Sequence, residues 1–280
     1  MKQYNEELKK GYLYEDFRFV HLRDKKVQQY EYHFHEFKKV VIFLSGKVTY
    51  IVEGKSYYLK PWDILLVNSQ DLHKPFIDEN ETYDRIVLWI SDTFIERCGN
   101  TGCDLAACFK LAGEKRFNLV RLDLGIKKKM TELLADLELT LASAEFGSSL
   151  LAQAYLMEFM VHLNRLYMEK ETEGMEQGFR YDRRMEQVMQ YINSNLAEDL
   201  SVDALAKKFY ISKYYLMHRF KEETGFTLHK YIIQKRIYLA TEYMKSGSLS
   251  TGAAEKAGFR DYSSFLRSYK KIFGSTPRQR

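Results

Sequence analysis

The stretch ISKYYLMHRFKEETG, residues 211–225, returns further along the chain as FRDYSSFLRSYKKIFG, residues 259–274. Aligned, the two copies set Ala206 on Ala254, Ile211 on Phe259, Leu216 on Phe265, Phe220 on Tyr269 and Gly225 on Gly274, with one extra residue in the second turn. Each reads as a short helix, a tight turn and a second helix. Ser201 suits the N-cap of the first, since its hydroxyl accepts from early backbone N–H groups, and Gly225 suits the left-handed residue that ends the second. Leu216 and Phe220 lie four apart and share a buried face, leaving Tyr214, Met217, His218 and Lys221 outward. Such a face on a compact helix–turn–helix fits the major groove of DNA, which admits one helix. A solvated charged helix would explain one copy; two copies favour DNA. Between them TLHKYIIQKRIYLATEYMK, residues 227–245, holds neither Gly nor Pro. As one helix it would extend about 28 Å, close to the ~34 Å between successive major grooves on one side of B-DNA.

The charge distribution agrees. The 280 residues carry a net charge of +5, but from Phe179 onward 19 Lys and Arg stand against 10 Asp and Glu, so the C-terminal third is basic and the remainder acidic. A basic segment suits a polyanionic partner. Hydrophobic residues make up 45% and there are only 3 Pro, a globular composition with length enough for two domains. The opening MKQYNEELKK lacks the apolar stretch of a signal peptide, and no run is long enough to span a bilayer, so a cytoplasmic protein without membrane contact is expected. Cys98, Cys103 and Cys108 are not spaced as zinc pairs and read as isolated, mostly buried thiols.

Residues 17–91 hold short apolar or alternating runs (VVIFLSG, KVTYIVEG, KSYYLKP, DILLVN, RIVLWIS) between Gly, Pro, Asn and Asp turns, the pattern of an antiparallel sandwich or barrel, with one more strand near RFNLVRL. Residues 126–171 then change to helical spacing in two segments joined at Gly147 and Ser148, a helical hairpin whose apolar cover favours a homodimer interface. The expected class is α+β with two domains: residues 1–172 holding the β-structure and the hairpin, a linker at 173–180, and an all-α domain at 181–280. Within the latter the first helix–turn–helix falls at about 199–225, the linker helix at about 227–245 and the second at about 250–274.

Residues 181–280, with LA…FYIS..YLMHRFKEETG…YI…RI..A..YM…AGFRDYSSFLRSYKKIFGSTP, resemble the DNA-binding domain of the arabinose-regulator (AraC/XylS) family of bacterial transcription regulators. The resemblance implies base-facing roles for Tyr214, Met217 and His218 on one recognition helix and Tyr262, Ser263, Leu266 and Arg267 on the other. Arg267 has the fork to pair with a guanine, whereas Lys213, Lys221, Lys270 and Lys271 are expected to neutralise phosphate. Where that family has Ile at two positions, Ser250 and Ala253 flank Gly252, so this helix is expected to be weak and loosely packed.

EYHFHEFKKVVIFLSG and EGKSYYLKPWDILLVNSQDLHKP resemble the cupin-type sensor barrel that often accompanies this module. His33, His35 and His73 match the metal-binding histidines of cupin enzymes, but Lys39 stands where those enzymes have Glu, and an ammonium repels a divalent cation. No metal and no cofactor are expected. Trp62 replaces the Gly expected after Pro61. Tyr32, His33, His35, Lys39, Trp62 and His73 are the candidate ligand-binding residues, their aromatic faces and donors suiting a sugar or another small polar metabolite. The reading is thus a transcription regulator with operator DNA, a carbohydrate effector, a second copy of itself and RNA polymerase as partners, and no catalytic residues. A metal-dependent cupin enzyme with a DNA-binding tail and a ligand-independent architectural DNA binder are the alternatives.

Overall fold

A computed structural model describes residues 11–25, 30, 32–78, 80–99, 102–169, 183–224 and 226–277. Its first half is an antiparallel β-structure in two sheets. Strands β1 (Phe17–Asp24), β7 (Tyr83–Ile90), β2 (Lys38–Ser45), β5 (Asp63–Val67) and β8 (Leu119–Arg121) lie side by side in that order, and β4 (Lys55–Tyr58), β3 (Val48–Val52) and β6 (His73–Ile77) form the second sheet. Val41 and Phe43 of β2 join Leu65, Val67, Tyr50 and Val52 in the core between the sheets. Their neighbours Val40 and Ile42 point the other way, with Ile64, Leu66, Ile86 and Leu88, into a second core under the helices. Burial on both faces is why β2 and β5 read as continuous apolar runs.

Helices α1 (Asp92–Cys98), α2 (Ala107–Lys115), α3 (Leu124–Ala142) and α4 (Ser148–Glu169) cover that outer face. The expected hairpin is α3 and α4, and Gly147 makes its turn at a φ of 79°. Sequence periodicity missed α1 and α2, which are short; the one available signal was Ser91, whose hydroxyl accepts from the Phe94 N–H as an N-cap. Cys108 is buried on α2, whereas Cys103 is exposed, contrary to expectation.

The second half is helical: α5 (Arg183–Ser194), α6 (Val202–Lys208), α7 (Lys213–Thr224), α8 (Leu228–Lys245), α9 (Ser250–Lys256) and α10 (Tyr262–Phe273). Ser201 caps α6 by accepting from the Ala204 N–H, and Gly274 ends α10 in the left-handed region. The expected linker 173–180 and Gly225 lie outside the described residues. Helix α8 serves both repeat units, since Ile232 packs into the core around Leu216 and Phe220 while Ile233 packs against the core around Phe265.

Two expectations need correction. Helix α9 is not loose: Ala253 and Ala254 are buried, and the Ser250 hydroxyl shares a 2.7 Å hydrogen bond with that of Tyr262. Small side chains let α9 sit close to α8, which offsets the low intrinsic helicity of Thr251 and Gly252. Trp62 takes the left-handed conformation that its position requires, at a φ of 73°, but its ring packs on the helix-covered face beneath Lys127, away from the barrel interior.

Candidate functional site

His33, His35, His73 and Lys39 converge at one end of the barrel. An isolated backbone bridge ties His33 to His73, their rings lie 4.2 Å apart, and the His35 ring is 4.7 Å from that of His73. His35 Nδ1 lies 2.7 Å from the Phe37 carbonyl and His73 Nδ1 2.8 Å from that of Asp71. A carbonyl only accepts, so each Nδ1 carries the proton and each Nε2 of the neutral ring presents a lone pair. Lys39 Nζ lies 3.3 Å from His73 Nε2 and donates to the Tyr50 hydroxyl at 3.1 Å. His35 Nε2 is buried with no hydrogen-bond partner among the described residues.

No carboxylate pairs with Lys39 among the described residues, and burial, reinforced by nearby Arg85, pulls its amine down to about 7. Burial first and Lys39 second hold His35 and His73 well below the usual histidine range. Tyr50 and Arg85 belong to this environment and were not singled out in the sequence. Arg85 is itself paired with Asp24 at 2.6 Å. The cluster therefore offers a hydrogen-bond donor at Lys39 beside a bare acceptor at His35, a combination that a hydroxyl-bearing ligand can meet in full. Phe43, Tyr50, Tyr57 and Tyr83 fill the interior beyond it, each at most 3% exposed. Among the described residues, no group of three His, Cys, Asp or Glu is arranged to hold a metal ion.

Tyr32 does not line this cluster. Residues 32–35 alternate as an extended segment does: His33 and His35 turn inward to His73, whereas Tyr32 and Phe34 turn outward to the helical half. The Tyr32 hydroxyl donates to the Glu223 carbonyl at the end of α7, and the Phe34 ring meets Tyr238 of α8 edge-on at 5.6 Å. A second grip centres on Glu53, held at a φ of 46°. Its carboxylate accepts from Lys235 Nζ at 2.7 Å, from Asn193 at 3.1 Å, from the Leu72 N–H at 2.6 Å and from the Tyr231 hydroxyl. Burial works against the ionised carboxyl, but Lys235 and these hydrogen bonds outweigh it and hold Glu53 below its usual range. Arg116 adds bonds to the Gln190 carbonyl and the Ser194 hydroxyl of α5. Around these contacts lies a groove of about 380 Å³, lined by Glu53, Asp71, Arg116, Asn193 and Lys235 among others.

On α7 the expected DNA face is open. Tyr214 and Met217 are 75% and 47% exposed, and the Tyr214 and His218 rings stack at 5.7 Å. Lys221 is also exposed, while Lys213 is ion-paired with Asp203. On α10, Ser263, Arg267, Lys270 and Lys271 are exposed, and Arg267 donates to the Ser264 hydroxyl at 3.1 Å. Tyr262 and Leu266 are half-buried and pack against the Phe265 core, so they belong partly to the scaffold.

Comparison with known proteins matches residues 19–160, half of the chain, to a family described as the AraC-like ligand binding domain, and residues 205–280 to a helix-turn-helix domain. The probable transcriptional regulator LumQ of Photobacterium leiognathi is 25% identical over 253 residues, covering 88% of this chain and 90% of that protein. The HTH-type transcriptional activator RhaS of an Enterobacter species is 23% identical over 251 residues, covering 88% of this chain and 86% of that one. A crystal structure of ToxT from Vibrio cholerae covers 94% of this chain and 97% of its own at 16% identity and a TM-score of 0.35.

Proposed function

The chain belongs to the AraC family of transcription regulators, and on that premise we propose that a small polar metabolite entering the barrel beside Lys39 changes the grip of residues 211–274 on promoter DNA. The observation that carries this is the alternation of residues 32–35. The same backbone segment turns His33 and His35 to the ligand cluster and Tyr32 and Phe34 to the DNA-binding helices, so a shift of one side moves the other. An effector needs only different affinity for two arrangements of that segment to shift the population between them.

A carbohydrate fits the alternating donor and acceptor of Lys39 and His35. A homodimer through the hairpin is supported by Leu139, Phe146 and Leu150 at its tip, which are exposed although large and apolar. The reading includes no catalysis of its own, and it divides the chain into residues 1–172, a linker at 173–180 and residues 181–280. The test is a thermal-shift screen of sugars and polar metabolites followed by DNA titration with each hit. A ligand at about 100 times its Kd adds about 2.7 kcal/mol of stability. If no compound both stabilises the protein and alters its DNA affinity, the sensor reading fails. The groove at Glu53 supports a second location for the effector, and two variants separate them: Lys39→Met removes binding at the barrel cluster, and Arg116→Ala removes it at the groove.

The recognition helices give a second expectation. Arg267→Ala should relax preference at one base position by about 1–3 kcal/mol, whereas Lys221→Ala should weaken all sequences alike and lower the salt dependence. Binding titrations across single-base operator variants distinguish the two patterns. A third concerns Glu53. Glu53→Ala would strand the Lys235 ammonium in a half-buried contact, and losing one partner of such a pair costs about 3 kcal/mol. Calorimetry should then resolve separate melting of the two halves, where the wild type melts as one; a single unchanged transition would show that Glu53 does not hold them together.

A further inference from the structure

The two repeat units have separate cores, one around Leu216 and Phe220 and one around Phe265, and share α8. A shared helix alone leaves the second unit free to twist about it, so the separation of the two recognition helices needs something that ties one unit to the other directly. Arg260 of the second unit pairs with Asp199 of the first at 3.4 Å, but both side chains are exposed and such a pair holds weakly, so the firm tie is at Arg236. From α8 its Nε donates to the Leu196 carbonyl at 2.8 Å and its Nη2 to the Glu198 carbonyl at 2.7 Å, both in the loop between α5 and α6 of the first unit. Gly258, in the turn between α9 and α10 of the second unit, presses on the same place: a Cβ there would lie 2.3 Å from the Leu196 oxygen and 2.9 Å from Arg236 Nε. The Leu196 carbonyl is therefore where linker helix, first unit and second unit meet.

The repeat records the consequence. The residue that matches Gly258 in the first unit is Tyr210, which holds the same left-handed turn at a φ of 53° while 95% exposed. A turn at a φ of 53° tolerates tyrosine; at Gly258 the wider φ of 93° and the close approach to Leu196 and Arg236 together call for glycine. A planar guanidinium reaching two carbonyls fixes an angle as well as a distance, which a single ammonium cannot do.

We infer that Arg236 is a positioning residue for DNA recognition: it sets the spacing and rotation of α10 relative to α7, and so the separation of half-sites that the protein accepts. This rests on the reading that both helices enter grooves of one duplex. Moving one half-site by a single base pair displaces it by ~3.4 Å and rotates it by about 34° around the axis, which a tied pair of helices cannot follow and an untied pair can.

The test uses the full-length protein and a duplex enriched by it from a random-sequence pool, together with versions carrying one base pair more or fewer between the two protected grooves. Wild type should bind the parent spacing at least about tenfold more tightly, which is ~1.4 kcal/mol. Arg236→Gln should bind the parent within a few fold of wild type but discriminate between spacings by less than about threefold. Arg236→Lys keeps the charge and loses the two-carbonyl grip, so it should also lose discrimination, and it carries the test if the Gln variant does not fold. A wild type indifferent to spacing would overturn the two-groove reading itself. A spacing-sensitive wild type with equally sensitive variants, or variants weakened by one factor at every spacing, would overturn the role of Arg236 and leave that reading intact.

Discussion

Gly258→Ala is expected to destabilise the protein by about 3 kcal/mol and to weaken operator binding more than any substitution on the recognition surface. Two costs add. Gly258 sits at a φ of 93°, where an L-residue is strained by about 1–2 kcal/mol. The new methyl would also stand 2.3 Å from the Leu196 oxygen and 2.9 Å from the Ala197 Cα. Those are backbone atoms of the neighbouring unit and cannot rotate aside, so the α9–α10 pair must lift away from α8 or from the α5–α6 loop. Either movement disturbs the small-residue packing of Ala253 and Ala254 and takes Arg236 off its carbonyls. Urea unfolding measures the first effect as a lower midpoint at constant m. Tyr210→Ala is the control, because the matching turn is open to solvent and should change stability by less than about 1 kcal/mol. Equal midpoints for the two variants would show that the close approach at Gly258 carries no energy.

That contrast also shows what the sequence could and could not disclose. The repeat, the shared helix and the outward face of α7 were legible because helical periodicity and paired spacing are local properties. So were the strands, whose apolar runs differ in period from the helices that follow. The convergence of His33, His35, His73 and Lys39 was legible only through resemblance to a barrel. Tyr32 was misplaced because in an extended segment adjacent residues face opposite ways and composition does not say which way is inward, and Trp62 because a left-handed turn at a φ of 73° carries its ring to the helix-covered face. Tyr50, Arg85 and Glu53 gave no local signal, since each gains its role from a partner distant in sequence. The same holds for Arg236, which alone reads as one more charge on a basic helix.

Lys39→Met should stabilise the protein and remove most of its pH dependence between about pH 7 and 8. Lys39 is half-buried, its amine faces Arg85, His35 and His73, and it has Tyr50 and His73 as hydrogen-bond partners. Its amine falls to about 7 in the folded state, against about 10.4 in an unfolded chain. Between these values the unfolded chain holds a proton that the folded chain lacks, so stability rises with pH there by up to about 1.4 kcal/mol per pH unit. Below pH 7 both states are protonated and the full cost of a buried ammonium remains. His35 and His73, also depressed, act with the same sign as pH falls through the ordinary histidine range, near 6.5. Cys108, pushed up to about 12 by burial, and Tyr50 and Tyr83, also raised by burial, act oppositely as pH rises through the ordinary thiol range near 8.5 and the ordinary phenol range near 10, which is why the comparison stops short of both. Methionine keeps the length of the side chain without the charge, and although it leaves two polar partners unsatisfied, the net gain should be on the order of 2 kcal/mol at neutral pH. Urea midpoints at several pH values across the window measure both effects, and a variant with the wild-type slope would show that Lys39 does not titrate there. A gain in stability accompanied by loss of every metabolite response would mean that the folded state tolerates an unfavourable amine at this position because the effector binds to it.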